Sequence, residues 1–413
     1  MAENIFEIDT LGIKKFICNA ETGRWVLANS CDDEVIAYIS KTVEKKRVYQ
    51  NIPLILLNIS RECNFKCRYC LAEHTKKQKQ KMSWDVGKKA IDRVMELPEG
   101  DRRVVFHGSE PMTNYDLIKK MVLYAKKLNY RIDFSIQSNG SLFNEKNVEC
   151  LVNNNVFIGI SLDGMEKHQN KNRPYAQGRP SYKDVINNIE IIKRTQKKVS
   201  IISVVTNDNV NDLEEIVEHF EKLGITTASF NPVSSAETSL IPDVTSLIKN
   251  MLIIYDRYFN CILNNVKTLK IDNIRKYLMN FIPKESPSNC VQCSLESKYP
   301  LIGIDTDGSV YPCDFFWGNQ EYLLGNIFDH DLNSIVNQPN DIRSRRNINH
   351  ILNCSECNWK RFCGGGCLGL AVMRNENIGH YKSIYCQFNK TMLEYVAKRI
   401  EILHNGGNIH NIL

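Results

Sequence analysis

Between residues 52 and 233, short apolar runs alternate with amphipathic stretches. The runs at 52–59, 103–107, 131–137, 156–162, 199–206 and 226–233 have the length and branched-residue content of buried strands. Trp84 to Leu97 sets Val86, Ile91, Val94 and Met95 on one side of a helix. Asn211-Asp-Leu-Glu214 reads as a capping box, followed by Ile216, Val217, Phe220 and Leu223 at helical spacing. Six successive β/α units predict an α/β fold with a parallel sheet. The chemistry of such a sheet belongs at the C-terminal ends of its strands.

The flanks have a different pattern. Residues 1–50 show short alternating runs at Phe6-Glu-Ile-Asp9, Lys15 to Cys18 and Arg24 to Leu27, then a helical Asp32 to Ile39. This predicts a small α+β unit whose sheet edge suits peptide recruitment by strand addition, with a lid or dimer contact as the other reading. Residues 236–289 read as a helical bridge, with one long helix from Asp243 to Asn265. Residues 290–390 are loop-rich and cysteine-rich, and 391–413 form a helix and tail.

Composition narrows the class. The net charge of +6 is small for 413 residues, and the lysine run at 76–81 reads as a solvated loop face, so no nucleic-acid partner is expected. No apolar run is long enough for a membrane span, and the start Met-Ala-Glu-Asn lacks the signature of a signal peptide. Fifteen cysteines grouped in C-x2-C pairs then read as metal ligands in a reducing cytoplasm rather than as disulfides.

The cysteine loop after the first strand carries the chemistry. Cys63, Cys67 and Cys70 stand in a C-x3-C-x2-C spacing with no fourth thiol nearby. A structural zinc takes four ligands, which disfavours an incomplete zinc site. A four-iron cluster held by three thiolates leaves one iron open to a small chelating ligand.

This loop resembles that of the radical S-adenosylmethionine (SAM) superfamily, and the resemblance implies a partial (β/α)6 barrel over residues 51–235. Phe106-His107-Gly108-Ser109-Glu110-Pro111 is similar to the family's Gly-Gly-Glu-Pro motif, with Ser109 in place of the second glycine. The resemblance implies that Gly108, Ser109 and Glu110 contact the SAM amino group and that Arg173 contacts its carboxylate. It places Tyr69 and Val233 on the adenine, and Ser161 at a strand end of the same pocket.

The later cysteines resemble the SPASM extension of peptide-acting members. By that resemblance Cys290, Cys293, Cys313 and Cys367 would hold one auxiliary 4Fe–4S cluster, and Cys354, Cys357, Cys363 and Cys386 another. Two zinc sites remain the alternative reading of the eight cysteines. The implied cofactors are SAM and three 4Fe–4S clusters, and the implied partners are a precursor peptide and a reductant such as flavodoxin or ferredoxin.

The implied reaction is hydrogen abstraction from a peptide by a 5′-deoxyadenosyl radical. Tyr311-Pro-Cys313-Asp314 resembles the anaerobic sulfatase-maturating enzymes, in which the aspartate is the base. The tyrosine they carry two residues beyond the third cluster cysteine is Ala72 here. That departure, Ser109 and the extra N-terminal unit favour a maturase forming thioether crosslinks. Conversion of Cys or Ser to formylglycine is the alternative, and an electron carrier without SAM chemistry is the reading outside enzymology.

Overall fold

The computed structural model describes residues 4–41, 54–71, 79–97, 102–196, 198–281, 301–337, 348–374, 377 and 383–405. Cys290, Cys293 and Ala72 lie outside the described residues. Strands β1 (Ile5–Asp9), β2 (Lys15–Asn19) and β3 (Trp25–Ala28) form a small antiparallel sheet in that order. Asp32 caps the helix that follows, Asp33–Ser40, by accepting from the Val35 backbone NH.

The main sheet begins with β4 (Ile55–Ser60), β5 (Arg103–Gly108), β6 (Asp133–Ser138), β7 (Val156–Ser161), β8 (Ser200–Val205) and β9 (Thr227–Pro232). These six pair in parallel in chain order, with helices between them. They match the six expected strands to within a few residues. The expected capping box at Asn211 does not form. The helix Leu213–Lys222 starts after a 3₁₀ turn and has no side-chain cap, because Asp212 turns away to pair with Lys167 and His168.

Both edges of this sheet are extended by later segments. β10 (Lys270–Ile271) adds in parallel to β9, and the helix Asp272–Leu278 follows directly. On the other edge β11 (Ile302–Ile304) pairs in parallel with β4, in the register Ile304 to Leu57. Antiparallel β12 (Ser309–Tyr311) and β13 (Gly325–Asn326) complete the ten-stranded sheet. The cysteine-rich segment is therefore continuous with the barrel.

A buried ion pair locks that junction. Asp305, just past β11, accepts from Arg61 Nη2 at 2.6 Å and from Asn58 Nδ2 at 2.8 Å. Both charged side chains are nearly free of solvent contact. The N-terminal sheet docks through rings. Phe16 packs on Trp25, Phe281 and Trp359, and the Trp25 indole donates to the Phe281 carbonyl at 2.7 Å. No helix among the described residues is long and apolar enough to cross a membrane.

Candidate functional site

A chamber of about 790 Å³ occupies the interior of the parallel strands. Cys63, Cys67 and Cys70 line one part of its wall, together with Tyr69, Gly108, Ser109, Ser161 and Arg173. Asp314, Phe315, Trp317 and Cys367 of the cysteine-rich segment contribute another part. Its size suits a small-molecule cofactor together with part of a substrate.

The cysteine loop is held by the segment after β7. The backbone NH groups of Lys66 and Arg68 donate to the carbonyls of Pro174 and Asn172 at 2.9 and 3.0 Å. This clasp places Arg173 beside the loop. Arg173 Nη1 donates to the Tyr69 hydroxyl at 2.8 Å, and that hydroxyl donates to Asp163. The Asp163 carboxylate also lies 3.7 Å from Arg173 and accepts from the Val204 NH at 3.2 Å. Burial pushes the Asp163 carboxyl up, opposed first by the Arg173 charge. Sequence reasoning missed this aspartate, although Ser161-Leu-Asp-Gly164 marked the strand end that carries it.

Two buried donors here, Arg173 Nε and Ser109 Oγ, have no hydrogen-bond partner among the described residues. Gly108 has φ +124°, and a Cβ there would strike Asn58 Oδ1 at 2.4 Å and the Ser60 carbonyl at 2.7 Å. Only glycine fits this approach. A cationic Nε, a free hydroxyl and bare backbone beside three thiols fit the carboxylate and amino groups of an amino-acid ligand such as SAM.

Two expected contacts are placed differently. Glu110 does not line the chamber. Its carboxylate accepts from Ser138 Oγ at 2.8 Å, the Met112 NH at 3.0 Å and the Asn139 NH at 2.8 Å. It staples the β5 loop to the end of β6. Val233 packs behind Tyr69 rather than in the chamber wall, with Leu240 in the same cluster.

The thiols have settings that suit iron–sulfur ligation. The Phe65 NH donates to Cys63 Sγ at 3.3 Å, and the Leu370 NH to Cys367 Sγ at 3.4 Å. Burial pushes the Cys67 thiol up to about 12, with Arg173 opposing, so metal binding would have to displace its proton. Cys354, Cys357, Cys363 and Cys386 ring one separate small cavity with Lys360. Cys313 is buried in the same cluster as Leu368, the residue after Cys367.

Among the described residues no three His, Cys, Asp or Glu side chains are grouped as a single metal ion requires.

Fold, thiol loop and chamber together define a radical SAM enzyme with an auxiliary iron–sulfur domain. The chain belongs to the radical SAM superfamily, whose family model matches residues 57–220, and a model for an iron–sulfur cluster-binding domain, SPASM, matches 290–358. It is 28% identical to the cysteine-type anaerobic sulfatase-maturating enzyme of Clostridium novyi, over 85% of this chain and 98% of that protein. It is 30% identical to an uncharacterized protein of Methanocaldococcus jannaschii, over 67% of this chain and 88% of that protein. Among solved structures, native anSMEcpe with bound AdoMet superposes with a TM-score of 0.73 at 24% identity, over 86% of this chain and 99% of that one. Streptococcus suis SuiB bound to precursor peptide SuiA gives 0.63 at 16% identity, over 94% and 99%.

Proposed function

We propose that this radical SAM enzyme acts on a ribosomally made precursor peptide and oxidatively installs thioether crosslinks from cysteine sulfur to carbon. The observation that carries the reading is the single chamber running from Cys63, Cys67 and Cys70 to Asp314 and Cys367. A peptide segment seated there would touch both the SAM end and the auxiliary-cluster wall.

When bound, SAM and its cluster supply a radical able to take hydrogen from an unactivated C–H bond. Cys63, Cys67 and Cys70 would hold that cluster, while Arg173 and Ser109 would orient the amino-acid end of SAM. Tyr69, fixed between Asp163 and Arg173, would line the adenine side. Gly108 admits the ligand, and the surrounding strands exclude water. The eight later cysteines would hold two auxiliary clusters as electron acceptors, making three clusters in all. Asp314 is a candidate proton acceptor, and a flavodoxin or ferredoxin would supply the electron. The β1–β3 unit is a candidate for holding the rest of the peptide.

Formylglycine formation is the second reading, favoured by the likeness to sulfatase-maturating enzymes. Ala72, Ser109 and the additional N-terminal sheet weigh against it. The test is anaerobic mass spectrometry of a cysteine-rich peptide encoded beside the gene, co-expressed with and without the enzyme. Loss of two hydrogens per crosslink, with the cysteine blocked to alkylation, is the expected result. An unmodified peptide beside a sulfatase peptide converted to formylglycine would overturn it.

A further inference from the structure

Three adjacent strands bring three polar residues to the same level of the sheet, and the last of them, His107, lines the chamber. β4 and β5 pair with Asn58 opposite His107. β11 pairs with β4 at Ile304 and Leu57, so Asp305 follows beside Asn58. Neighbouring strands lie about 4.8 Å apart, which sets Asp305, Asn58 and His107 in a row.

The row is half connected. Asn58 Nδ2 donates to Asp305 Oδ1 at 2.8 Å, and Arg61 holds the same carboxylate. Asn58 Oδ1 and His107 Nδ1 are both buried, and among the described residues neither has a hydrogen-bond partner. His107 lines the chamber, its ring centroid 5.9 Å from that of Trp317.

Asp305 holds the Asn58 amide nitrogen, and Asn58 Oδ1 lies against Gly108, the neighbour of His107 on β5. An amide oxygen turned to Nδ1 would select the tautomer protonated there. The lone pair would then sit on Nε2. Asp314 lines the same chamber, but among the described residues no hydrogen bond or ion pair fixes its carboxylate.

We propose that His107 is the catalytic base that takes the thiol proton of the substrate cysteine, with Asn58 and Asp305 as its positioning residues. The assignment rests on the peptide reading above. In this step the S–H bond breaks, its electron pair stays on sulfur, and the proton forms a new bond to Nε2. Neutral imidazole becomes imidazolium, and no electron is transferred.

The test uses reconstituted holoenzyme and the cysteine-containing peptide of the co-expression assay. H107Q should lower modified peptide by about 100-fold or more while 5′-deoxyadenosine is still released. Replacing the peptide's cysteine by selenocysteine, whose selenol ionises unaided, should restore most of that loss. N58L should show a smaller loss, restored in the same way. An H107Q enzyme that modifies the cysteine peptide at the wild-type rate overturns the assignment. So does a selenocysteine rescue seen with D314N and not with H107Q. A wild-type enzyme that leaves the peptide untouched overturns the peptide reading instead.

Discussion

Arg173 reaches the cysteine loop by donating to the Tyr69 hydroxyl at 2.8 Å, although 104 positions separate the two residues. The contact closes only because Asp163 receives the tyrosine's own proton from the other side. Removing Asp163 would leave the Arg173 guanidinium buried beside a phenol. D163A should therefore lose roughly 3–5 kcal/mol of stability. SAM should also bind at least several-fold more weakly. Thermal unfolding and calorimetric titration with SAM check the two parts separately.

The Arg61–Asp305 pair joins the cluster loop to β11, and both side chains are buried. D305A strands the arginine and removes the acceptor for Asn58. A loss of roughly 3–5 kcal/mol is expected. Limited proteolysis should show early cleavage near β11 and β12, and a D305A protein as resistant as wild type would count against the locking role.

Cysteine variants separate ligands from packing residues. Replacing Cys63, Cys67 and Cys70 together by alanine should remove about four irons per chain. SAM cleavage should disappear with them. Cys18 is fully buried in the core and its thiol is pushed far up by burial, so it behaves as a small apolar side chain. C18A should keep its full iron content by colorimetric assay.

Glu110 tests a structural against a ligand-binding role. E110Q puts an amide where three donors converge on one carboxylate. The expected cost is about 1–3 kcal/mol of stability, from the Asn139 NH left without an acceptor. R173A, in contrast, should affect SAM binding more than stability, measured by the same titration.

Acid should weaken the fold through two histidines. His168 and His219 both have pKa values lowered by burial from the ordinary 6.5. For such a group the unfolded chain takes up the proton first as pH falls. Stability is then complete above about 6.5 and declines as pH drops toward the lowered folded values. Unfolding midpoints at pH 7.5 and 5.5 should differ by less in H219Q than in the wild type.

Strands β4 to β9 were legible because period-two and continuous apolar runs report burial locally. The long helix Val244–Leu263 was legible for the same reason. β11 was not: three residues, Ile302–Ile304, have no pattern of their own, and their place beside β4 is set by long-range pairing. The thiol loop could be read from its spacing, whereas the three hydrogen bonds that Glu110 accepts could not, because a motif gives a residue's place and not what its oxygens accept. Asp163 and Asp305 were hidden for a related reason, since a buried aspartate at a strand end reads as an ordinary turn residue until its partner is known. Asn211 misled because a capping pattern competes with ion pairs from elsewhere in the chain.

Because β11 continues the parallel sheet at the β4 edge, the catalytic chamber has no complete wall within the barrel segment alone. Cutting the chain after residue 235 would bare the edge of the strand that leads into the cluster loop, an invitation to pair with another molecule. The reaction vessel is thus inherited as a joint object. A lineage that exchanged its auxiliary segment would, in the same event, exchange one wall of the chamber.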